Sequence, residues 1–442
     1  MGYLIALGAA LGGLALRKAG VERADWMACA AAVGLCGVVR WQAGRASGHW
    51  EHIACRRSAV VTLAVALAGY AALLLIPLPQ GLLRLVSPAR AELAQAAGTA
   101  WSPLSVTPEE TLEHVVRLAA YIVVFLIVRE MAARRGGWAA APVVAVAGVE
   151  AALGLWQWSG GAPVRGTYVN RNHFAGLMEM ALPLAAMAAV AAMRRRPPRG
   201  HSPFGPVLGA CGLLALAALM LTASIQSLSR MGFLAALFGL LAACAAATGA
   251  GRGRRVKWTA VGVAAALAAA GFLFLPPDQL IARFAELAAT QDIPANTRVG
   301  IWRETLGLIA AYRWFGCGPG GYESAFARHN TVAPLHTVDF AHNDYLQGLA
   351  ELGFVGFPLA VALLAAAAGR TAVEAGRATS GRRLLAAGCL GSLGAILLHS
   401  TVDFNLYVPA NALVATWVAG IGTATAGAWE SGCSGTRQRW RM

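Results

Sequence analysis

Runs of about twenty apolar residues recur along almost the whole chain, and that is roughly the length one helix needs to cross a bilayer. With 57% of the 442 residues hydrophobic and only 13% charged, too little polar surface remains to clothe a soluble protein. The pattern predicts an all-α integral membrane protein, a polytopic bundle of about twelve transmembrane helices. The expected spans lie near 2–16, 25–40, 58–78, 114–129, 138–158, 174–193, 206–224, 231–249, 258–276, 347–369, 383–400 and 408–427. Residues 1–442 then form a single membrane domain, with one long, partly helical loop at 277–346 between the ninth and tenth spans. The run from Tyr3 to Leu16 lacks a basic lead and a small-residue cleavage site, and reads as a retained first span.

A net charge of +15 invites a nucleic-acid reading, but the basic residues fall between apolar runs and not along one face, which excludes that class. Their placement is topological. With the N-terminus inside, alternate connections carry clusters such as Arg129, Arg134 and Arg135, or Arg194, Arg195, Arg196 and Arg199, or Arg370, Arg377, Arg382 and Arg383. The positive-inside rule then puts both termini in the cytoplasm. The unusual polar sequences, 165–173, 224–230, 277–342 and 399–405, fall together on the outer face. The eight cysteines show no CxxC pair or metal-ligand spacing, so neither a disulfide framework nor a structural zinc is expected.

Four polar segments are candidates for chemistry. The first, Arg165 to Gly176, packs Arg165, Asn170, Arg171, Asn172 and His173 into the mouth of the sixth span, where such groups are costly without polar partners or a ligand. A helix cap with interfacial arginines is the simpler reading of any one of them. In the second, Ser227-Leu228-Ser229-Arg230, the arginine either snorkels to lipid headgroups or binds a diphosphate through its two-pronged guanidinium. Arg298, Trp302 and Arg303 lie on an expected loop helix from about 298 to 314, with Arg298 and Trp302 on one face. They suit phosphate binding and sugar stacking, or equally an interfacial anchor. A preceding amphipathic helix is expected from Leu280, Ile281, Phe284 and Leu287.

The third segment runs from His336 through His342, Asn343 and Asp344 to Gln347, with Glu351, Gly353 and Gly356 beyond. A neutral His342 can take a proton from an attacking hydroxyl near neutral pH; alone at a helix mouth it would merely cap. Asp339, Asn343 and Asp344 around it favour the catalytic reading. The fourth segment, His399 to Asn405, offers His399 and Asp403, the latter to orient a histidine or bind acceptor hydroxyls, or else to cap a helix. Glu150 in the fifth span is expected to have a buried partner.

GTYVNRNHFAG, SLSR, AHNDYLQ and HSTVDFN, in this order and on one face, resemble the O-antigen ligase/polymerase family over roughly residues 140–425. The resemblance implies a glycosyltransferase of the bacterial inner membrane, working at the periplasmic face without cofactor or metal. It would take a glycan from undecaprenyl diphosphate. The acceptor is a lipid A-core sugar in ligases, a second lipid-linked repeat in polymerases, and protein in some relatives. It further implies His342 and Asp403 as catalytic residues, and a diphosphate site drawn from Arg165, Arg171, Arg230, Arg298 and Arg303. Asn170, Asn172, His173, Asn343, Asp344 and His399 would support them. A polysaccharide transporter, the rival class, would place its polar site near the midplane and show paired repeats, neither of which is evident.

Overall fold

A computed structural model of the chain describes residues 2–46, 58–194, 202, 204–248, 295–332, 337–377 and 380–424. The expected ninth span, the amphipathic helix expected at 280–287 and His336 lie outside the described residues.

The remaining eleven expected spans each coincide with a helix. In chain order these are α1 (Gly2–Ala15), α2 (Arg23–Ala46), α3 (Ala59–Leu73), α6 (Pro108–Arg135), α7 (Ala141–Ser159), α8 (Arg171–Met193), α9 (Phe204–Gln226), α10 (Arg230–Ala247), α13 (Asp344–Arg377), α14 (Ser380–His399) and α15 (Pro409–Gly422). Between α3 and α6 lie the short helices α4 (Gln80–Val86) and α5 (Pro88–Ala96), and between α10 and α13 lie α11 (Ala295–Ala311) and α12 (Tyr322–Phe326). Among the described residues, seven helical stretches are long and apolar enough to cross a membrane. One of them, Pro108–Ser159, contains both α6 and α7. This is an all-α membrane protein, and α1 and α3, at 14 and 15 residues, are its shorter apolar helices.

Lipid tails give apolar helices no hydrophobic reason to pair, so close approach of backbones has to do the work. Small residues supply it where α8, α10 and α14 meet. A Cβ on Gly391 would stand 2.2 Å from the Gly239 carbonyl, and one on Gly388 would stand 3.0 Å from the Pro183 carbonyl. α8 is buried along most of its length, whereas α2 and α9 keep long apolar faces turned outward.

The two ends of the bundle differ. At one end Glu130 of α6 pairs with Arg40 and Arg134, both at 2.5 Å, and Arg382 donates to the Ala133 carbonyl at 2.9 Å. At the other end Thr111, near the start of α6, donates to the Pro319 carbonyl at 2.8 Å. That second end carries all four polar motifs, and it is covered by a folded cap. One half of the cap is a two-residue antiparallel ribbon, β1 (Leu78–Pro79) with β2 (Trp101–Ser102), together with α4 and α5. Hydropathy had left these residues unassigned. The other half has its own core of Ile301, Leu308, Tyr322, Phe326, Val338 and Ala341. The loop helix expected at about 298–314 is α11, displaced by three residues.

Cap and bundle join where α13 breaks. Gly353 adopts φ 63°, ψ −175°, a conformation essentially confined to glycine, and the helical hydrogen bonds around it are lost. Residues 313–318 replace them. Cys317 N–H donates to the Ala350 carbonyl and Gly318 N–H to that of Glu351, both at 3.0 Å, while Phe354 and Val355 N–H donate to the Arg313 and Trp314 carbonyls at 2.7 and 3.0 Å. The contact is backbone against backbone: a Cβ on Gly353 would lie 2.5 Å from the Gly316 nitrogen, and one on Gly316 would lie 2.1 Å from the Glu351 oxygen. Gly353→Ala is therefore expected to lower stability by about 1–3 kcal/mol. Gly369→Ala, in the same helix with nothing within 4 Å of its added carbon, should be neutral or slightly stabilising. Thermal unfolding of the purified variants in detergent separates the two.

Candidate functional site

The approach to α8 is fixed from beneath by Glu150, fully buried in α7. One carboxylate oxygen accepts the Thr167 N–H at 2.9 Å; the Thr167 hydroxyl lies 2.6 Å from the other and 2.9 Å from the Ala15 carbonyl. Gln157 adds a bond of 2.6 Å to the Gly166 carbonyl. Glu150 thus has a polar partner in Thr167, which is half-buried and not buried as expected. Asn170 then caps α8, its side-chain oxygen accepting the Asn172 N–H at 2.7 Å. Arg165 is exposed and donates to the Val169 carbonyl at 3.3 Å, while Arg171 and Asn172 are half-buried and His173 is buried.

The 399–405 turn packs directly on this first turn of α8. Nε2 of His173 lies 3.4 Å from Oδ1 of Asp403, at ion-pair distance without a hydrogen bond, and Oδ1 accepts the Phe404 N–H at 2.8 Å. The second oxygen of Asp403 is buried and has no hydrogen-bond partner among the described residues. Deeper in the bundle His399 and Glu179 form a second histidine–carboxylate pair at 2.9 Å, with both side chains buried. Asn411, in the first turn of α15, donates to the His173 carbonyl at 2.9 Å and to Asn405 at 3.0 Å and accepts from the Tyr168 hydroxyl at 3.1 Å. Glu179 and Asn411 were not among the sequence candidates. A carboxylate and an amide inside apolar spans are the signal that marks them.

The His342 segment is stitched to the same turn. Asp344 N–H points at the carbonyls of Ser400 and Asp403, at 3.0 and 3.1 Å, and its carboxylate accepts the Leu406 N–H at 3.1 Å. Asn343 donates to the Thr401 carbonyl at 2.8 Å and caps α13 by accepting the Tyr345 and Leu346 N–H groups, each at 3.0 Å. His342 itself has φ +51°, the left-handed region that few non-glycine residues occupy. Its ring stands edge-to-face with Phe404 at 5.1 Å between centroids; Phe404 stacks on Phe340 at 4.0 Å, and His173 stands 4.5 Å from Phe404.

α11 closes the group. Arg298 donates through Nη1 to the Val402 carbonyl at 2.9 Å, and Trp302, one turn on, donates through Nε1 to the Ala341 carbonyl at 2.9 Å. Their shared face is thus turned towards the two motif turns, while Arg303 is exposed. Ser229 caps α10 by accepting the Gly232 N–H at 3.3 Å. Gly232 abuts Ala175, where an added Cβ would approach to 2.4 Å, which sets exposed Arg230 beside the start of α8. His342, His173, Asp403, Asn343, Asp344, His399 and Arg298 therefore form one connected cluster. Arg165, Arg230 and Arg303 are its exposed basic neighbours at the same end.

Burial alone would raise the Asp403 carboxyl, but His173, then His399 and Arg298, outweigh it and hold the group well below the usual carboxylate range. A depressed value means that the stabilisation is fully present above about pH 4 and fades only as the pH falls towards the folded-state value.

A many-helix bundle with a buried histidine–carboxylate cluster, roofed by a folded cap and edged by arginines, gathers its polar groups at one end. Residues 215–361, from within α9 into α13, match the family model described as O-antigen ligase, and the motif resemblance to the O-antigen ligase family is supported by that match. No curated protein matches the chain. The family-model match spans 147 of the 442 residues, and over this stretch the chain is similar to the O-antigen ligase model. The segments 165–176 and 399–405 lie outside the matched residues, yet they supply His173, His399 and Asp403 to the cluster.

Asp403→Asn, which leaves His173 facing a neutral amide, should destabilise the protein by about 1–3 kcal/mol. Because Asp403 stays ionised throughout, the loss should be present at pH 8 and still present at pH 5.5, measured as the shift in thermal unfolding at each pH.

Proposed function

We propose that the protein transfers a glycan from undecaprenyl diphosphate to a hydroxyl of a lipid A-core acceptor, at the periplasmic face of the inner membrane and through a bundle of about twelve spans. The observation that carries this reading is the convergence of four polar segments, discontinuous in sequence, around His342 at one end of the bundle. In the proposed step His342 takes the proton of the acceptor hydroxyl as its oxygen forms a bond to the anomeric carbon. The bond from that carbon to the phosphate oxygen breaks, and the electron pair leaves with the diphosphate. One displacement inverts the anomeric centre.

The leaving group gains charge as it departs, and guanidinium groups suit it because they bind phosphate oxygens in pairs and stay charged at any physiological pH. Arg171 at the start of α8 and Arg230 beside it, with Arg165, Arg298 and Arg303, are the groups proposed to hold it, in the role a divalent cation plays elsewhere. Asp403 is assigned to the ionised support of His173, and through it to the shape of the acceptor side. Two carboxylate–histidine pairs at different depths, Asp403–His173 and Glu179–His399, leave His342 as the cluster histidine nearest the cap.

Purified protein in lipid, supplied with undecaprenyl-diphosphate-linked glycan and EDTA, tests the reading when offered either lipid A core or a second lipid-linked glycan. Glycosylated core supports a ligase. Lengthening of the lipid-linked chain makes it a polymerase, and no product with native substrates removes the transferase reading in favour of transport. His342→Ala should cut turnover by about 10²–10⁴-fold in folded protein, and wild-type turnover would remove it as the base. Arg230→Lys should also impair transfer, since an ammonium lacks the planar fork; full activity would make Arg230 a headgroup anchor instead.

A further inference from the structure

The residue proposed as base stands on an unusual backbone. A left-handed conformation at a non-glycine residue costs about 1–3 kcal/mol and persists only where its surroundings over-determine it. His342 is one of four such residues among the described ones, and only it lies in the 337–344 segment. The peptide just before it, at Ala341, is completely buried and is held from both sides. Its carbonyl accepts the indole N–H of Trp302 at 2.9 Å, and its N–H donates to Oε1 of Gln347 at 2.9 Å.

The second of these bonds has its own support. Gln347 must present its oxygen to the Ala341 N–H, which leaves its amide nitrogen facing Oε1 of Glu351 at 3.5 Å. Oε2 of the same carboxylate accepts the Tyr407 hydroxyl at 2.8 Å. Glu351 therefore selects one of the two orientations of the Gln347 amide, the one in which Gln347 accepts from Ala341. On the residue's other side Asn343 and Asp344 are bonded to the 399–406 turn. The backbone is thus fixed immediately before and immediately after His342, by α11, α13 and the turn between α14 and α15.

We infer that Trp302 and Gln347 are positioning residues, a clamp on the Ala341 peptide that holds His342 in its left-handed conformation and so aims the imidazole at the acceptor. Trp302 acts here through its N–H on the backbone and not as a sugar-stacking surface. The inference rests on the proposed role of His342 as base. A displacement of the order of 1 Å at a reacting group is enough to cost about 100-fold in rate.

Trp302→Phe keeps an aromatic ring but loses the N–H donor and some ring volume; Gln347→Met keeps the length but loses the amide, and with it both the bond from Ala341 and the bond to Glu351. In both, hydrogen–deuterium exchange of the peptide covering 337–346 should rise, while thermal unfolding remains cooperative. With undecaprenyl-diphosphate-linked glycan as donor, kcat should fall about 10- to 100-fold with KM for the donor changed less than about threefold. A rise in donor KM at unchanged kcat in Trp302→Phe would make Trp302 a substrate contact and overturn the clamp. So would raised exchange with unchanged kcat in both variants, or unchanged exchange. If one variant fails to fold, the other decides. His342→Ala, measured alongside, keeps the two readings apart: wild-type turnover there removes His342 as base, while the exchange data still judge whether the clamp holds the backbone.

Discussion

A polypeptide inside or at the edge of a bilayer has to satisfy its own backbone, because lipid offers no partners for a free N–H or carbonyl. The break in α13 at Gly353 frees several such groups, and the 313–318 turn returns a partner to four of them. The rest of the site follows from this exchange. It seats the core of α11 and α12 on the bundle, brings Trp302 over Ala341, and leaves the short helical stretch from Asp344 to Leu352 tied to the cap as firmly as to the span beyond it. Tyr70 of α3 adds its hydroxyl at 2.7 and 2.9 Å from the carbonyls of Leu352 and Phe315, so a third element seals the joint.

Much of the framework is legible in hydropathy, since spans of the right length stand out from polar connections and the described helices fall where the apolar runs lie. The density of polar residues at 165–173, 342–344 and 399–405 likewise marks one end of the bundle. Three things do not show in the sequence. The residues from Leu78 to Trp101 form a ribbon and two short helices whose apolar faces are too brief to register as periodic, and they fold because Tyr70, Leu74, Leu83 and Leu104 close around them. The partner of Asp403 is His173 and not the nearer-looking His399 on the same turn, a pairing decided by how α8 packs beneath it. The conformation of His342, with the indole and amide that hold it, depends on contacts between residues 39 and 6 positions apart. Gln347 was visible only as the end of a motif.

Histidine and carboxylate groups sit at two depths in this cluster, and they have different surroundings. The deeper pair, Glu179 with His399, is enclosed by α8 and α14, with Ser392 bonded to the α8 backbone a turn further in. The shallower pair, Asp403 with His173, opens towards Phe404 and the cap. Removing one member of a buried pair leaves an uncompensated polar group, so each pair constrains the helices that carry it. α8 contributes to both, with His173 in its polar first turn and Glu179 in its third, while almost all of the remainder is apolar.

The seclusion of α8 bears on how the protein meets its membrane. A bilayer thinner or thicker than a helix is accommodated by tilting or bending the helices that face it, at a modest cost for each ångström of mismatch. α8 faces other helices over most of its length, whereas α2 and α9 present their apolar sides outward. Changes in lipid composition are therefore felt first by those outer helices, while the first turn of α8, with His173 and its partners, stands at the capped end of a sheltered helix. The α8 side of the cluster is thus shielded from mismatch, whereas α13, which begins at Asp344 in the same cluster, faces outward as much as α9 does.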